Sequence, residues 1–142
     1  MPSYRYPIKK IPRDFFCPLV PIQNSNSDTG KEIKLMGLLD TGASASLMPS
    51  VVPIMTGSSL KGEGIQESMT SGVAGIAMKC YKHNFIVRIA SPDLKKIIWE
   101  SKPLDIDCAD HNKTPPLLGY NDILRHFSLT VNYKAGSFIL TL

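Results

Sequence analysis

The chain of 142 residues lacks the features that mark several large classes of protein. Its three cysteines are odd in number and widely spaced, which argues against a disulfide framework or a zinc site and favours buried thiols. No apolar run reaches the length of a membrane span, and the N-terminus lacks the apolar segment of a secretory signal. We therefore expect a cytoplasmic protein that has no membrane partner.

Clustered charge of one sign is also scarce. The 16 basic and 12 acidic residues give a net charge of +4, and the densest basic groups are only Lys9-Lys10 and Lys95-Lys96. Because a nucleic-acid-binding surface needs a concentrated basic face or a recognised module, no nucleic-acid partner is expected. The three histidines are dispersed and have no metal-spaced partners, so the sequence predicts no metal and no other cofactor.

The composition that remains is that of a globular protein built from short strands. Hydrophobic residues make up 43% of the chain and charged residues 20%, and the 11 prolines and 10 glycines are spread along it. This predicts a single domain over residues 1–142, with an extended N-terminal arm and first strand in residues 1–30. The fold class is predicted to be all-β, a closed barrel with one short helix near the C-terminus, over residues 121–126.

Several segments carry strand patterns that can be tested individually. Residues 16–22 contain two prolines, which predicts an edge strand or a strand split by turns. Residues 104–108 alternate apolar and acidic side chains, which predicts that Asp105 and Asp107 both face solvent. Residues 32–39 end in a buried apolar run that leads directly into Asp40.

Asp40-Thr41-Gly42 follows that apolar run directly, and the whole run Leu38–Ser44 occurs only once. The other Asp-Thr-Gly triplet of the chain, residues 28–30, lies in a polar turn cluster and follows no apolar run. Acid–base hydrolysis by carboxylates needs two of them, because one must accept a proton from water while the other donates a proton to the carbonyl oxygen. If Asp40 is catalytic, the second carboxylate must therefore come from another copy of the chain. The predicted assembly is a homodimer.

The residues after Asp40 have side chains that fit such a role. Gly42 lets the turn pass close to the same turn of a second copy, and it offers an N–H to the Asp40 carboxylate. Thr41 carries a hydroxyl that can bond backbone across a symmetric interface. Ala43 leaves space for a substrate backbone, and Ser44 can hydrogen-bond groups nearby. Neither Ser44 nor Ser46 has the His and Asp arrangement of a serine nucleophile.

These motifs resemble the retropepsins, the aspartic proteases of retroviral type that act as homodimers. Residues 69–89 are similar to the family's flap hairpin, with Ser71, Gly72, Val73, Ala74 and Gly75 at its tip. Leu117, Leu118 and Gly119 are similar to the family's second motif, which a short helix follows. The resemblance covers roughly residues 33–142, and the C-terminal pattern looks more like the cellular prokaryotic members than the viral enzymes.

The resemblance implies a fold, a site and a substrate. Leu117, Leu118 and Gly119 would brace the loop of Asp40, and the flap, including Ile76, would close over an extended peptide or protein substrate. The predicted function is that of an aspartic endopeptidase, in which two Asp40 carboxylates activate a water. The alternative is a non-catalytic peptide-binding or dimerisation module with the same fold.

Overall fold

A computed structural model describes residues 1–11, 15–71 and 77–142, and it consists mainly of short strands. The thirteen strands in chain order are Ser3–Pro7 (β1), Lys9–Ile11 (β2), Phe15–Cys17 (β3), Leu19–Asn26 (β4), Glu32–Leu39 (β5), Leu47–Met48 (β6), Glu67–Ser71 (β7), Ala77–Ala90 (β8), Ile97–Glu100 (β9), Leu104–Ala109 (β10), Leu117–Leu118 (β11), Ser128–Asn132 (β12) and Ser137–Thr141 (β13). In the same described ranges, the helical elements are one α-helix, Val51–Met55 (α1), and one 3₁₀ helix, Leu124–His126. Within the described residues, no helix is long and apolar enough to cross a membrane.

Six strands form a closed barrel, as the sequence predicts. Their order is β10-β6-β11-β5-β4-β8, and β8 pairs back to β10 to complete the ring. The ring contains two parallel pairs, β10 with β6 and β11 with β5, and its remaining pairs are antiparallel. β7 and β9 add to β8, so the long strand β8 connects the barrel to the hairpin that it forms with β7.

A second sheet of three strands, in the order β1-β13-β12, packs against the barrel. The predicted N-terminal arm therefore contains a strand that pairs with the end of the chain, in register from Ser3 opposite Thr141 to Pro7 opposite Ser137. Tyr6 of β1 is buried, stacks on Phe138 with ring centroids 5.1 Å apart, and donates a hydrogen bond to Ala90 O at 2.7 Å. This sheet shares one core with the barrel.

Two local predictions are confirmed in part. β4 is not at an edge, since it lies between β5 and β8, although the chain is interrupted at Pro18 between β3 and β4 as expected for a split strand. The predicted helix over residues 121–126 is a turn followed by the 3₁₀ helix. Gly119 O accepts hydrogen bonds from both Ile123 N–H (3.3 Å) and Leu124 N–H (2.9 Å), which is not the regular spacing of an α-helix.

Candidate active site

Asp40 lies immediately after β5, on a loop that turns back on itself. Its carboxylate accepts a hydrogen bond from Gly42 N–H at 3.0 Å, and its carbonyl oxygen accepts one from Ala43 N–H at 3.2 Å. The Asp40 side chain is partly exposed, whereas Leu39 just before it is buried in the core. The loop thus presents one carboxylate at the surface while the strand that carries it stays fixed in the barrel.

The second motif braces this loop from below. Leu117 and Leu118 form β11 and pair in parallel with Leu38 and Leu39 of β5. Asp40 N–H donates to Leu118 O at 3.1 Å, so the residue that carries the carboxylate is itself bound to β11. Further along, the N–H groups of residues 120 and 121 donate to the carbonyl oxygens of residues 43 and 44, at 2.9 and 3.0 Å. These backbone hydrogen bonds connect the second motif to the loop of Asp40.

A serine and an aspartate that the sequence analysis did not assign to the site complete the brace. Ser46 Oγ donates to Asp122 Oδ1 at 2.8 Å and accepts a hydrogen bond from Gly119 N–H at 3.0 Å. Asp122 Oδ2 also accepts from Ser46 N–H at 2.9 Å. The sequence signal for this pair is weak, because a hydroxyl after one motif and an acid after the other are common in loops.

Gly119 lies closer to the Asp40 loop than any other residue type could. A Cβ built on Gly119 would stand 2.5 Å from the carbonyl carbon of Ala45 and 2.8 Å from its Cα and O. The backbone φ of Gly119 is not in the left-handed region, so the requirement for glycine here is one of space alone. Contact between the two backbones fixes the distance between the two motifs.

The hairpin of β7 and β8 corresponds to the predicted flap. Its antiparallel register runs from Glu67 opposite Tyr81 to Ser71 opposite Ala77, so Ser71 lies where the described part of β7 ends. The other predicted tip residues, Gly72, Val73, Ala74, Gly75 and Ile76, lie outside the described residues. The site of peptide contact at the tip therefore stays a prediction.

Asp107 of β10 binds both strands of this hairpin, and the prediction that it faces solvent is wrong. Its carboxylate accepts hydrogen bonds from Ser68 Oγ (2.6 Å) and Thr70 Oγ1 (2.8 Å) on β7, and from Lys82 Nζ (3.0 Å) on β8. Its side chain is only 15% exposed. Burial raises its pKa, but the three hydrogen bonds and the charge of Lys82 outweigh burial, and the net pKa is lowered. Asp105, in contrast, is exposed as predicted.

Other groups offer little alternative chemistry. Cys80 and Cys108 are buried, and burial raises the pKa of both thiols, that of Cys108 to about 12, so they stay neutral and unreactive. His83 is buried with Nε2 3.0 Å from Leu60 O, and His126 packs on Trp99. Within the described residues, no three acidic, histidine or cysteine side chains come together as a metal site.

The chain matches no protein-family model and no curated protein sequence. A search of solved structures finds the crystal structure of a retropepsin-like aspartic protease from Rickettsia conorii. The two chains are 16% identical, and they superpose with a TM-score of 0.60 over 98% of this chain and 91% of that chain. The superposition establishes the fold. An identity this low does not transfer residue roles from one chain to the other. The chain has the retropepsin-like aspartic protease fold, which confirms the fold that its motifs predicted.

Proposed function

We propose that the chain is an aspartic endopeptidase whose active site forms between two copies, each contributing Asp40. The observation that carries the proposal is the state of the Asp40 carboxylate. One of its oxygens accepts the Gly42 N–H, and the other accepts no hydrogen bond within the part of the chain that the structure describes. A carboxylate held by its own loop, partly exposed and with a free oxygen, is available to a water and to a second carboxylate.

The chemistry follows from bringing two such groups together. Two carboxylates within hydrogen-bond reach share one proton, because both cannot be charged at that distance without strong repulsion. The ionised carboxylate removes a proton from a water, and the protonated one donates a proton to the carbonyl oxygen of the peptide bond under attack. The reaction requires no metal and no organic cofactor.

The surroundings of Asp40 support a second copy as the source of the other carboxylate. Thr41, Gly42 and Ser44 are exposed in the single chain, on the same loop as the carboxylate. A Cβ built on Gly42 would meet only Asp40 Oδ1, at 3.4 Å, and its φ is not left-handed. Nothing in the part of the chain that the structure describes therefore requires glycine at residue 42, whereas close approach of the same loop from a second copy would require it.

The proposed substrate is an extended peptide or protein segment lying between the Asp40 loop and the hairpin of β7 and β8. We infer that the partly exposed side chains of Met78 and Leu117 line this space, supported from beneath by the buried apolar cluster of Leu47, Cys80 and Ala109. Such a surface favours apolar side chains on either side of the cleaved bond.

The test combines activity with mass. Asp40→Asn removes the charge with almost no change in shape, so cleavage of a peptide library should fall to background while fold and dimer mass persist. Asp28→Asn makes the same change on an exposed turn and serves as the matched control, with full activity expected. Full activity of Asp40→Asn would refute the mechanism. A wild-type dimer that binds peptides but does not cleave them from acidic to neutral pH would instead indicate the peptide-binding module.

A further inference from the structure

A groove on the outer face of the barrel lies apart from the loop of Asp40. Its floor is formed by β4 and β5, where Pro21 pairs with Met36. Its wall is formed by Leu94, from the connection between β8 and β9, and by Ile97, the first residue of β9. One cavity of about 310 Å³ adjoins another of about 140 Å³. Pro21, Met36 and Leu94 line both cavities, so the two are parts of one groove.

Leu94 stands open to solvent at the centre of this groove. Its side chain is 69% exposed, and among the described residues it is the one non-glycine residue with a positive φ, at 64°. A leucine is strained in this backbone conformation, because its Cβ crowds the neighbouring carbonyl oxygen. Since the exposed side chain gains little from burial, the stability of the fold does not account for leucine at this position.

The turn that carries Leu94 is fixed by its own hydrogen bonds. Ser91 N–H donates to Lys96 O at 2.8 Å, and Leu94 N–H donates to Ser91 O at 2.9 Å. The Asp93 carboxylate accepts from Ser91 Oγ at 2.6 Å and from Lys95 N–H at 3.0 Å. These hydrogen bonds therefore hold Leu94 in one position. A ligand that contacts Leu94 would not have to order the turn first.

Positive charge surrounds the groove. Lys9 and Lys34 line it, and Lys95 and Lys96 lie beside Leu94 on the turn. Lys34 and Lys95 are exposed, and neither side chain forms an ion pair within the described residues. Asp93 is the acidic residue of the turn, and its carboxylate already binds the turn. An apolar groove with a basic rim complements a segment that combines apolar and acidic side chains.

We propose that this groove binds an extended acidic and apolar segment of a partner protein. An apolar side chain of the partner packs against Leu94 and Met36, and its carboxylates lie near Lys9 and Lys34. The groove is built from the outward-facing residues of β4 and β5, so this binding is independent of the chemistry at Asp40. It persists even if the chain cleaves nothing.

Binding is measured by fluorescence anisotropy with a labelled peptide that alternates leucine and glutamate. The Asp40→Asn protein is used, so that cleavage cannot interfere. We expect saturable binding that weakens as salt is added, because exposed charge pairs are screened. A peptide with lysine in place of glutamate, and one with alanine in place of leucine, should both lose binding.

Leu94→Gly separates binding from stability. Glycine accepts the positive φ without strain, so the variant should unfold at a temperature at least as high as the parent. Its affinity for the peptide should nevertheless fall about tenfold, since an anchoring side chain is lost. Lys34→Gln should weaken binding and reduce its salt dependence, whereas Lys134→Gln, on the exposed turn after β12, is the matched control and should change neither.

Three results would overturn the proposal. The first is unchanged affinity in Leu94→Gly, and the second is equal binding of the lysine-containing peptide. The third is a different occupant, seen either as binding to anionic phospholipid vesicles without peptide binding or as self-association that Leu94→Gly abolishes. Absence of protease activity in the wild-type protein affects none of these measurements.

Discussion

Replacement of Gly119 by alanine should damage both stability and the proposed site, by an amount that the structure allows us to estimate. The added Cβ would lie 2.5 Å from the carbonyl carbon of Ala45, well inside van der Waals contact. Overpacking costs about 1–3 kcal/mol, and here both partners are backbone and cannot rotate away, so we expect about 3 kcal/mol. In a domain of this size, that loss lowers the unfolding temperature by about 10 °C.

The measurement is thermal unfolding by circular dichroism, followed by peptide cleavage at a temperature where the variant is folded. Gly62→Ala is the matched control, because it makes the same change where the nearest atom, Ser59 Cβ, would lie at an ordinary 3.5 Å. We expect Gly62→Ala to remain within about 0.5 kcal/mol of the wild type. If Gly119→Ala unfolds like Gly62→Ala and cleaves normally, the two backbones are not in the close contact described, and the reasoning fails.

Two further predictions concern the dimer and the hairpin. Gly42→Ala should leave the unfolding temperature of the single chain nearly unchanged, since the added methyl meets only Asp40 Oδ1 at 3.4 Å, but it should weaken dimerisation in sedimentation experiments. An unchanged dimer would show that the twin loops do not approach closely. Asp107→Asn should lower the free energy of unfolding at neutral pH by about 2 kcal/mol, because it weakens charge-assisted hydrogen bonds. The lowered pKa of Asp107 contributes stability above the unfolded-state pKa of about 3.9, and this stability is lost as the pH falls through the folded-state pKa. Urea unfolding at pH 7 and at about pH 3 should therefore show the difference between the two proteins shrinking in acid, and a constant difference would contradict this.

The strands next to the two motifs could be predicted from local sequence. Residues 35–39 and Leu117-Leu118 are short apolar runs that end at an Asp or a Gly, and such runs have few ways to fold other than as buried strands followed by turns. Their pairing with each other could not be read from the sequence in the same way, because nothing local specifies that the two runs are adjacent and parallel. The resemblance to a known family supplied that step.

Asp107 illustrates a limit of predicting exposure from the alternation of apolar and polar residues. Alternation in residues 104–108 correctly separates the two acidic positions from Ile106 and Cys108 of the core. The alternation does not reveal which side chains cover the other face of β10. In the structure, Ser68 and Thr70 of β7, the strand beside β8, donate hydrogen bonds to the Asp107 carboxylate. Covering of one strand by the side chains of another is a property of the tertiary structure.

Pro21 shows a similar limit for the edge-strand rule. Proline lacks the N–H that a central strand needs, which predicted an edge strand or a strand split by turns. In the structure β4 is central, yet its ladder with β8 begins only at the pair Ile22–Ile89, so the strand is unpaired on that side at Pro21. The rule therefore holds for the individual residue and not for the strand as a whole.

The parallel pairing of β5 with β11 has a consequence for the order of events during synthesis. Asp40 leaves the ribosome long before Leu117 and Leu118, whose backbone holds its loop. For most of its translation, a nascent chain thus carries the carboxylate without the strand that fixes its position. Contacts between such distant segments also form late and slowly during folding. A partially synthesised or truncated chain would lack an ordered site, and any activity would appear only after this C-terminal segment has been made.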